Sequence, residues 1–204
     1  MGQCLLPEVS EPREAPFNEM RWLAIAFVAA LGGLLGGCEH TLPLPVFGTV
    51  PHFSLTDQAG SPFDSSRLSG RVWVAEFMYA TCPGPCPLMS HLMRQIAQAN
   101  QDLQLVSFTV DPEHDTPAVL AAYAKHYPVP AGRWWFLTGS RQELNDLGLN
   151  AFHLNKVDGT MEHSTRFALV DEHMRIRAYY ETLPDQFRPQ LLADVLRLEH
   201  SDAD

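Results

Sequence analysis

The sequence predicts an α/β fold, a mixed central sheet with helices on both faces, and three observations carry that expectation. Apolar runs of strand length alternate with segments of helical period through the middle of the chain. One of these runs, VWVAEFMY at residues 72–79, is almost continuously apolar, as a strand covered on both faces must be. The chain then closes with two adjacent strand-like runs and a helix, so the sheet cannot be purely parallel. With 204 residues and 46% hydrophobic composition, the chain can bury one good-sized core but lacks the linkers of two full domains.

The elements follow in order. Residues 39–49 contain Pro43 and Pro45 and no period, and read as a tether; the domain is expected over residues 50–204. PHFSLTDQAGSPFDSSRLSG gives a strand at 53–56, a turn at 57–60 and an end at Gly70. After the strand at 72–79, Leu88, Leu92, Met93, Ile96 and Ala99 recur at helical spacing, which predicts a helix over 87–100. A strand at 103–110 leads into DPEHDTP, where Thr116 and Pro117 form a cap and first-turn proline for the helix AVLAAYAKHY. A strand at 133–137 and a short helix at 142–147 come next. Strands at 167–170 and 176–180 flank DEHM as a hairpin, and an amphipathic helix at 189–198 ends the domain. Strand, helix, strand, helix, strand, then hairpin and helix is the thioredoxin-like layout.

Residues 1–38 are sequence of another kind. WLAIAFVAALGGLL, residues 22–35, follows Met20-Arg21 and precedes Gly36-Gly37-Cys38, the layout of an export signal, and it is short for a membrane span of about 20 apolar residues. Leu35-Gly36-Gly37-Cys38 resembles the lipobox of bacterial lipoproteins, which makes Cys38 the expected lipidation site; a plain N-terminal anchor helix is the alternative. Glu8, Glu11, Glu14 and Glu19 against a single Arg13 fit a basic leader poorly, so the start is expected at Met20 and Cys4 is then never made. Either route places a membrane-anchored domain facing the periplasm or another extracytoplasmic space. A formal charge of −10, with only 14 Lys and Arg scattered along the chain, argues against nucleic acid as a partner.

Two cysteines remain in the domain, in ATCPGPCP. Each proline disfavours helical geometry in the residue before it, so the helix is expected no earlier than Pro87, with Cys86 at or beside its N-cap and Cys82 in the loop. Gly84 offers backbone angles closed to other residues and lets the loop fold back. Thiolates at a helix N-terminus are favoured by its dipole, and two of them select Cu(I) or zinc over hard cations. A redox couple and an inert bridge are the other readings of the pair, although a bridge across so short a loop removes little unfolded-chain entropy. A peroxidase reading has no further feature of the loop behind it.

A third ligand must come from elsewhere. His91 lies about one helical turn after the loop, His114 follows a central strand, His153 lies in an irregular segment, and His163 stands just before a strand, a place from which it can sit at an edge of the sheet facing the cysteine loop. Spacing leaves these open.

Taken together, VAEFMYATCPGPCPLM, SFTVDPEHDTP and EHSTRFALVD resemble, in order and spacing, the Sco/SenC family of cytochrome oxidase assembly factors, over roughly residues 50–198. The resemblance implies a thioredoxin-like domain binding one copper ion through Cys82, Cys86 and His163. It implies a role in metallating the binuclear copper site of cytochrome c oxidase subunit II, as copper donor, as thiol reductant through the redox-active pair Cys82 and Cys86, or as both. Other copper chaperones or thioredoxin-like reductants are the further partners it suggests. A metallochaperone is expected rather than an enzyme, and an extracytoplasmic thiol-disulfide oxidoreductase without obligatory metal is the alternative. Asp111 matches the family's Asp-Pro motif and is a candidate outer group behind the ligands, or else an ordinary turn carboxylate. Gly84 departs from the family, which commonly carries an acidic residue between the cysteines.

Overall fold

The computed structural model describes residues 42–161, 163–183 and 186–201. Cys38 and the export-signal stretch lie outside the described residues. In chain order the strands are β1 (Gly48–Thr49), β2 (Ser54–Asp57), β3 (Pro62–Asp64), β4 (Trp73–Met78), β5 (Gln104–Thr109), β6 (Trp134–Thr138), β7 (Arg166–Val170) and β8 (Arg175–Glu181). The helices are α1 (Cys86–Ala99), α2 (Pro117–Ala124), α3 (Arg141–Asn145), which runs on into a π turn (Asp146–Ala151), and α4 (Arg188–Ser201).

One mixed sheet holds the strands in the order β1-β8-β7-β4-β5-β6-β2-β3. β4, β5 and β6 are parallel and joined by α1 and α2, as the alternation of strand and helix patterns requires, while β7 runs antiparallel to β4. β4 sits in the middle, and its side chains alternate between two cores. Val74 and Met78 face α1, α2 and α4 through Met89, Met93, Leu120 and Leu191. Trp73, Ala75 and Phe77 face α3 and the π turn through Leu144, Leu147 and Phe152. Phe77 lies 5.2 Å from Phe108 and 5.5 Å from Phe152, ring centre to ring centre. Burying such a side chain contributes roughly 1.5–3 kcal/mol, so a strand that does so on both faces anchors the fold. Helices therefore cover both faces, as the thioredoxin-like layout requires.

Local chemistry explains where elements start and stop. Asp57 Oδ1 accepts from the N–H groups of Ala59 and Ser61, and Gly60 takes φ +76°, which closes the turn between β2 and β3. Thr116 Oγ1 accepts from Val119 N–H at the start of α2, and Ser140 with Glu143 forms a capping box on α3. The short helix predicted at 142–147 continues to Ala151 because Gly148 lets the chain return closely: a Cβ there would lie 2.8 Å from Asn155 O.

Three expectations need correction. First, the segment read as a tether up to residue 49 is partly built into the domain. β1 pairs with β8, Phe47 N–H donates to Ile176 O (2.8 Å), Val50 N–H donates to Met174 O (2.8 Å), and the compact unit begins at Pro43. The edge of β8 offers unpaired backbone groups, and this segment satisfies them. Buried Arg177 holds it, donating to Leu44 O and Pro45 O while paired to Asp171 (2.7 Å). Second, α1 begins at Cys86 rather than Pro87. Pro85 has helical angles and its carbonyl accepts from Met89 N–H (2.9 Å), so the first turn forms one residue early, and Pro87 sits where no N–H is needed. Third, Gly84 is not among the residues with positive φ, so the loop turns without the angles reserved for glycine.

Candidate metal centre

β4 ends at Met78, and the loop from Tyr79 to Pro85 leaves the carboxyl edge of the parallel strands, the edge at which open α/β sheets place their sites. The chain reverses there to enter α1 at Cys86. Cys82 is 8% exposed, Cys86 is fully buried, and both are free thiols. One carboxyl contact braces this loop and one hydroxyl contact braces the start of α1. Ala80 N–H donates to Asp115 Oδ2 (3.1 Å), and Tyr127 O–H donates to Pro87 O (3.3 Å).

His163 reaches the same edge by topology. β7 is antiparallel to β4 and adjacent to it, so the residues just before β7 lie beside the end of β4. His163, three residues ahead of Arg166, is carried to the cysteines across an interval of about eighty residues. Its Nε2 is 3.0 Å from Cys86 Sγ and 3.8 Å from Cys82 Sγ. The three ligand atoms lie within 4.8 Å of one another, and among the described residues this is the one cluster of three His, Cys, Asp or Glu groups that close.

The imidazole is prepared for a metal. Nδ1 bonds to Ser164 O (3.1 Å), and a carbonyl can only accept, so Nδ1 carries the proton. Burial holds the ring's pKa below its usual value, keeping it neutral with the Nε2 lone pair toward the sulfurs. The Tyr79 ring packs edge-on against the imidazole, centroids 5.7 Å apart, and fixes its tilt.

The thiols are unlike each other. Burial works against ionising Cys82, but the Cys86 thiol, the N–H groups of Cys86 and Gly84, and the Tyr79 hydroxyl outweigh it and lower its pKa. Burial and then the pairing with Cys82 push Cys86 strongly upward. The expectation that the helix start favours thiolate holds for Cys82 in the loop and fails for Cys86 inside the helix, where desolvation dominates. Two soft sulfurs and a neutral imidazole suit Cu(I) or zinc, and three donors suit Cu(I) better than zinc's usual four.

The remaining candidates stand elsewhere. His91 bonds to Gln95 (3.0 Å), His153 to Leu149 O (2.9 Å), and His114 pairs with Asp111 (2.8 Å). Asp111 is buried and its backbone N–H donates to Thr109 Oγ1 (2.9 Å); its charge raises Tyr79 less than burial and the two cysteines do. Three residues with roles around the centre escape a reading for ligands. Tyr79 touches both Cys82 and His163, Asp115 holds the loop, and Glu76 lies buried below α1. A lone acid in the apolar run VWVAEFMY and the second Asp of DPEHDTP are the signals that mark the last two.

Comparison with known proteins agrees with this geometry. The SCO1/SenC family profile matches residues 46–198. A SCO1/SenC family lipoprotein of Bacillus anthracis str. Ames is 30% identical, with TM-score 0.71, over 78% of this chain and 99% of that one. BsSco, described as a member of the Sco family of cytochrome c oxidase assembly proteins and as having a disulfide switch, is 28% identical with TM-score 0.69, over 77% of this chain and 96% of that one. A protein of Stutzerimonas stutzeri, provisionally named as copper-binding, is 32% identical over 151 residues, 69% of this chain and 72% of that one.

Proposed function

The chain belongs to the SCO1/SenC family, and on that premise we propose that it binds one copper ion through Cys82, Cys86 and His163 and serves the assembly of the binuclear copper site of cytochrome c oxidase subunit II. The observation that carries this reading is the convergence of two sulfurs and one unprotonated imidazole nitrogen within 4.8 Å. When bound, Cu(I) supplies a soft acceptor that exchanges thiolate ligands readily. The protein's residues do the rest. Cys82 is the more exposed and more easily ionised sulfur, so it opens or closes first toward an incoming thiolate, while buried Cys86 and His163 retain the ion until exchange is complete. His163 also borders a polar groove of about 630 Å³ lined by Lys156, Thr160, Arg166 and Glu181, which gives a partner segment access to this side of the site.

A second reading rests on the unequal thiols. A low-pKa sulfur beside a high-pKa buried one is the arrangement of a thiol reductant: Cys82 thiolate attacks a partner disulfide, and Cys86 then displaces the partner from the mixed disulfide. The partner gains two thiols and this chain a Cys82–Cys86 disulfide. The relative's disulfide switch supports keeping this activity beside copper delivery.

Lipidation at Cys38 remains part of the proposal, with the domain facing the periplasm; the lipoprotein relative supports it. Among the described residues no helix is long and apolar enough to cross a membrane.

The test uses the reduced chain, loaded anaerobically with Cu(I), against an oxidised and a reduced subunit II fragment. Copper transfer to the reduced fragment that His163→Ala abolishes supports delivery. Reduction of the oxidised fragment by the copper-free chain, untouched by His163→Ala, supports the second reading. Loss of neither activity on replacing Cys82 and Cys86 by Ser contradicts both.

A further inference from the structure

Glu76 is the one acidic residue of β4 and is fully buried. Its Oε1 accepts from Ser107 O–H on β5 (2.7 Å) and from Ser90 O–H on α1 (3.3 Å). Each donor is itself supplied from behind. Trp134 Nε1–H on β6 donates to Ser107 Oγ (2.8 Å), and because Ser90 spends its proton on Glu76, the Tyr123 hydroxyl of α2 donates to Ser90 (3.0 Å). Both chains of hydrogen bonds end on the same oxygen. Oε2 has no partner.

The position of this carboxyl relative to the metal centre follows from α1. Ser90 is four residues after Cys86, and both are fully buried, so the two side chains are neighbours on one helix face with Cβ atoms about 5–6 Å apart. The group bonded to Ser90 therefore lies in the same dry layer as Cys86, where water cannot screen one charge from the other. A buried carboxylate with one bare oxygen is costly, and that oxygen is where a proton would relieve the cost.

We propose that Glu76 is the proton site that balances charge at the metal centre: it is ionised when the cysteine pair is free of metal and takes a proton at Oε2 when the pair holds a monovalent soft cation as a dithiolate. The charges balance. Starting from two thiols, one carboxylate and Cu(I), the products are a dithiolate complex of charge −1, a neutral carboxylic acid and one released proton; where Cys82 is already a thiolate, one proton fewer is released in wild type and variant alike. Burial already pushes Glu76 up to about 7, opposed by the bonds from Ser107 and Ser90, so a further negative charge nearby is enough to tip it. The titratable groups facing it are Cys86 on α1 and Tyr123 on α2, and burial raises Tyr123 so far that it stays protonated throughout. Sequence alone shows only an acid in an apolar strand; the direction of the hydrogen bonds is what marks it as a proton acceptor.

This inference rests on the copper reading, and its test separates the two. The reduced full chain is loaded with Cu(I) at pH 8 while released protons are counted and the infrared difference spectrum is recorded. The wild type is expected to release one proton fewer per copper than Glu76→Gln and to gain the C=O stretch of a protonated buried carboxyl, which the variant lacks. Ser107→Ala keeps the carboxyl but removes a bond that favours its charged form, so the new band should persist to higher pH. Equal proton counts in wild type and Glu76→Gln, no carboxyl band, or a band unmoved in Ser107→Ala each overturn the inference. Failure to take up Cu(I) at all instead removes the copper reading beneath it.

Discussion

Cys82 and Cys86 sit four residues apart at one helix entrance, yet the environment drives them in opposite directions. The loop donates N–H groups and the Tyr79 hydroxyl to Cys82, whereas Cys86 is sealed beneath its own helix. The split predicts that iodoacetamide alkylates Cys82 first in the reduced, metal-free chain. Its rate should plateau below the pH at which an ordinary thiol ionises, near 8.5, and Cys86→Ser should keep that profile while Cys82→Ser loses nearly all reactivity. Equal rates would contradict the assigned roles. Gly84 belongs to the same scale. A Cβ there meets only Cys82 Sγ, at an ordinary 3.8 Å, so a side chain fits and would stand beside that sulfur. Gly84→Asp is therefore expected to fold normally and to raise the Cys82 pKa by carboxylate repulsion, moving the alkylation profile to higher pH. The two cysteines were legible from their prolines, but their inequality was not, because it depends on burial that local sequence does not encode.

Elements were legible where their signals are local. Thr116-Pro117 and the alternation of periods put the start of α2 and strands β2 and β4 to β8 within about a residue of their places, since caps and packing faces are written in nearby residues, whereas α2 stops at Ala124, short of the expected Tyr127, and β3 was not foreseen. β1 was not, because a two-residue strand exists only by virtue of the β8 edge and Arg177, more than a hundred residues away. Nor was the role of Glu76, whose acid sits in the run that best announced a strand. It carries a stability prediction for β4 and its neighbours. With its pKa raised from 4.5 to about 7 in the folded chain, the fold holds a proton that the unfolded chain gives up. The stabilisation is thus fully present below pH 4.5 and is lost as pH rises through about 7, on the order of 3 kcal/mol over that interval. Urea unfolding should show stability from this group falling across that range in the wild type and a flatter profile in Glu76→Gln. A wild-type profile with the same slope as the variant's would show that Glu76 does not titrate there.

For the whole molecule, one topological fact assembles the site. An antiparallel β7 laid beside the parallel β4 returns His163 to the edge that the cysteine loop leaves. Residue spacing cannot supply that, which is why His91, with its closer place in the sequence, was also a candidate on chain position and yet lies outside the cluster. The family resemblance singled out His163, and the geometry gives the physical reason. Asp115 rather than Asp111 makes the direct bond to the loop, a distinction invisible in a motif that contains both. The centre therefore depends on three separate parts of one sheet, and its ligands should act as a set. X-ray absorption at the copper edge of the Cu(I)-loaded chain tests this most directly. The expected spectrum has one copper per chain with two sulfur neighbours and one nitrogen neighbour, and His163→Ala should lose the nitrogen and bind roughly a hundredfold more weakly, given that removing even an outer-shell partner costs roughly 10–100-fold. A two-sulfur site without nitrogen, or a spectrum and affinity unchanged by His163→Ala, would contradict it.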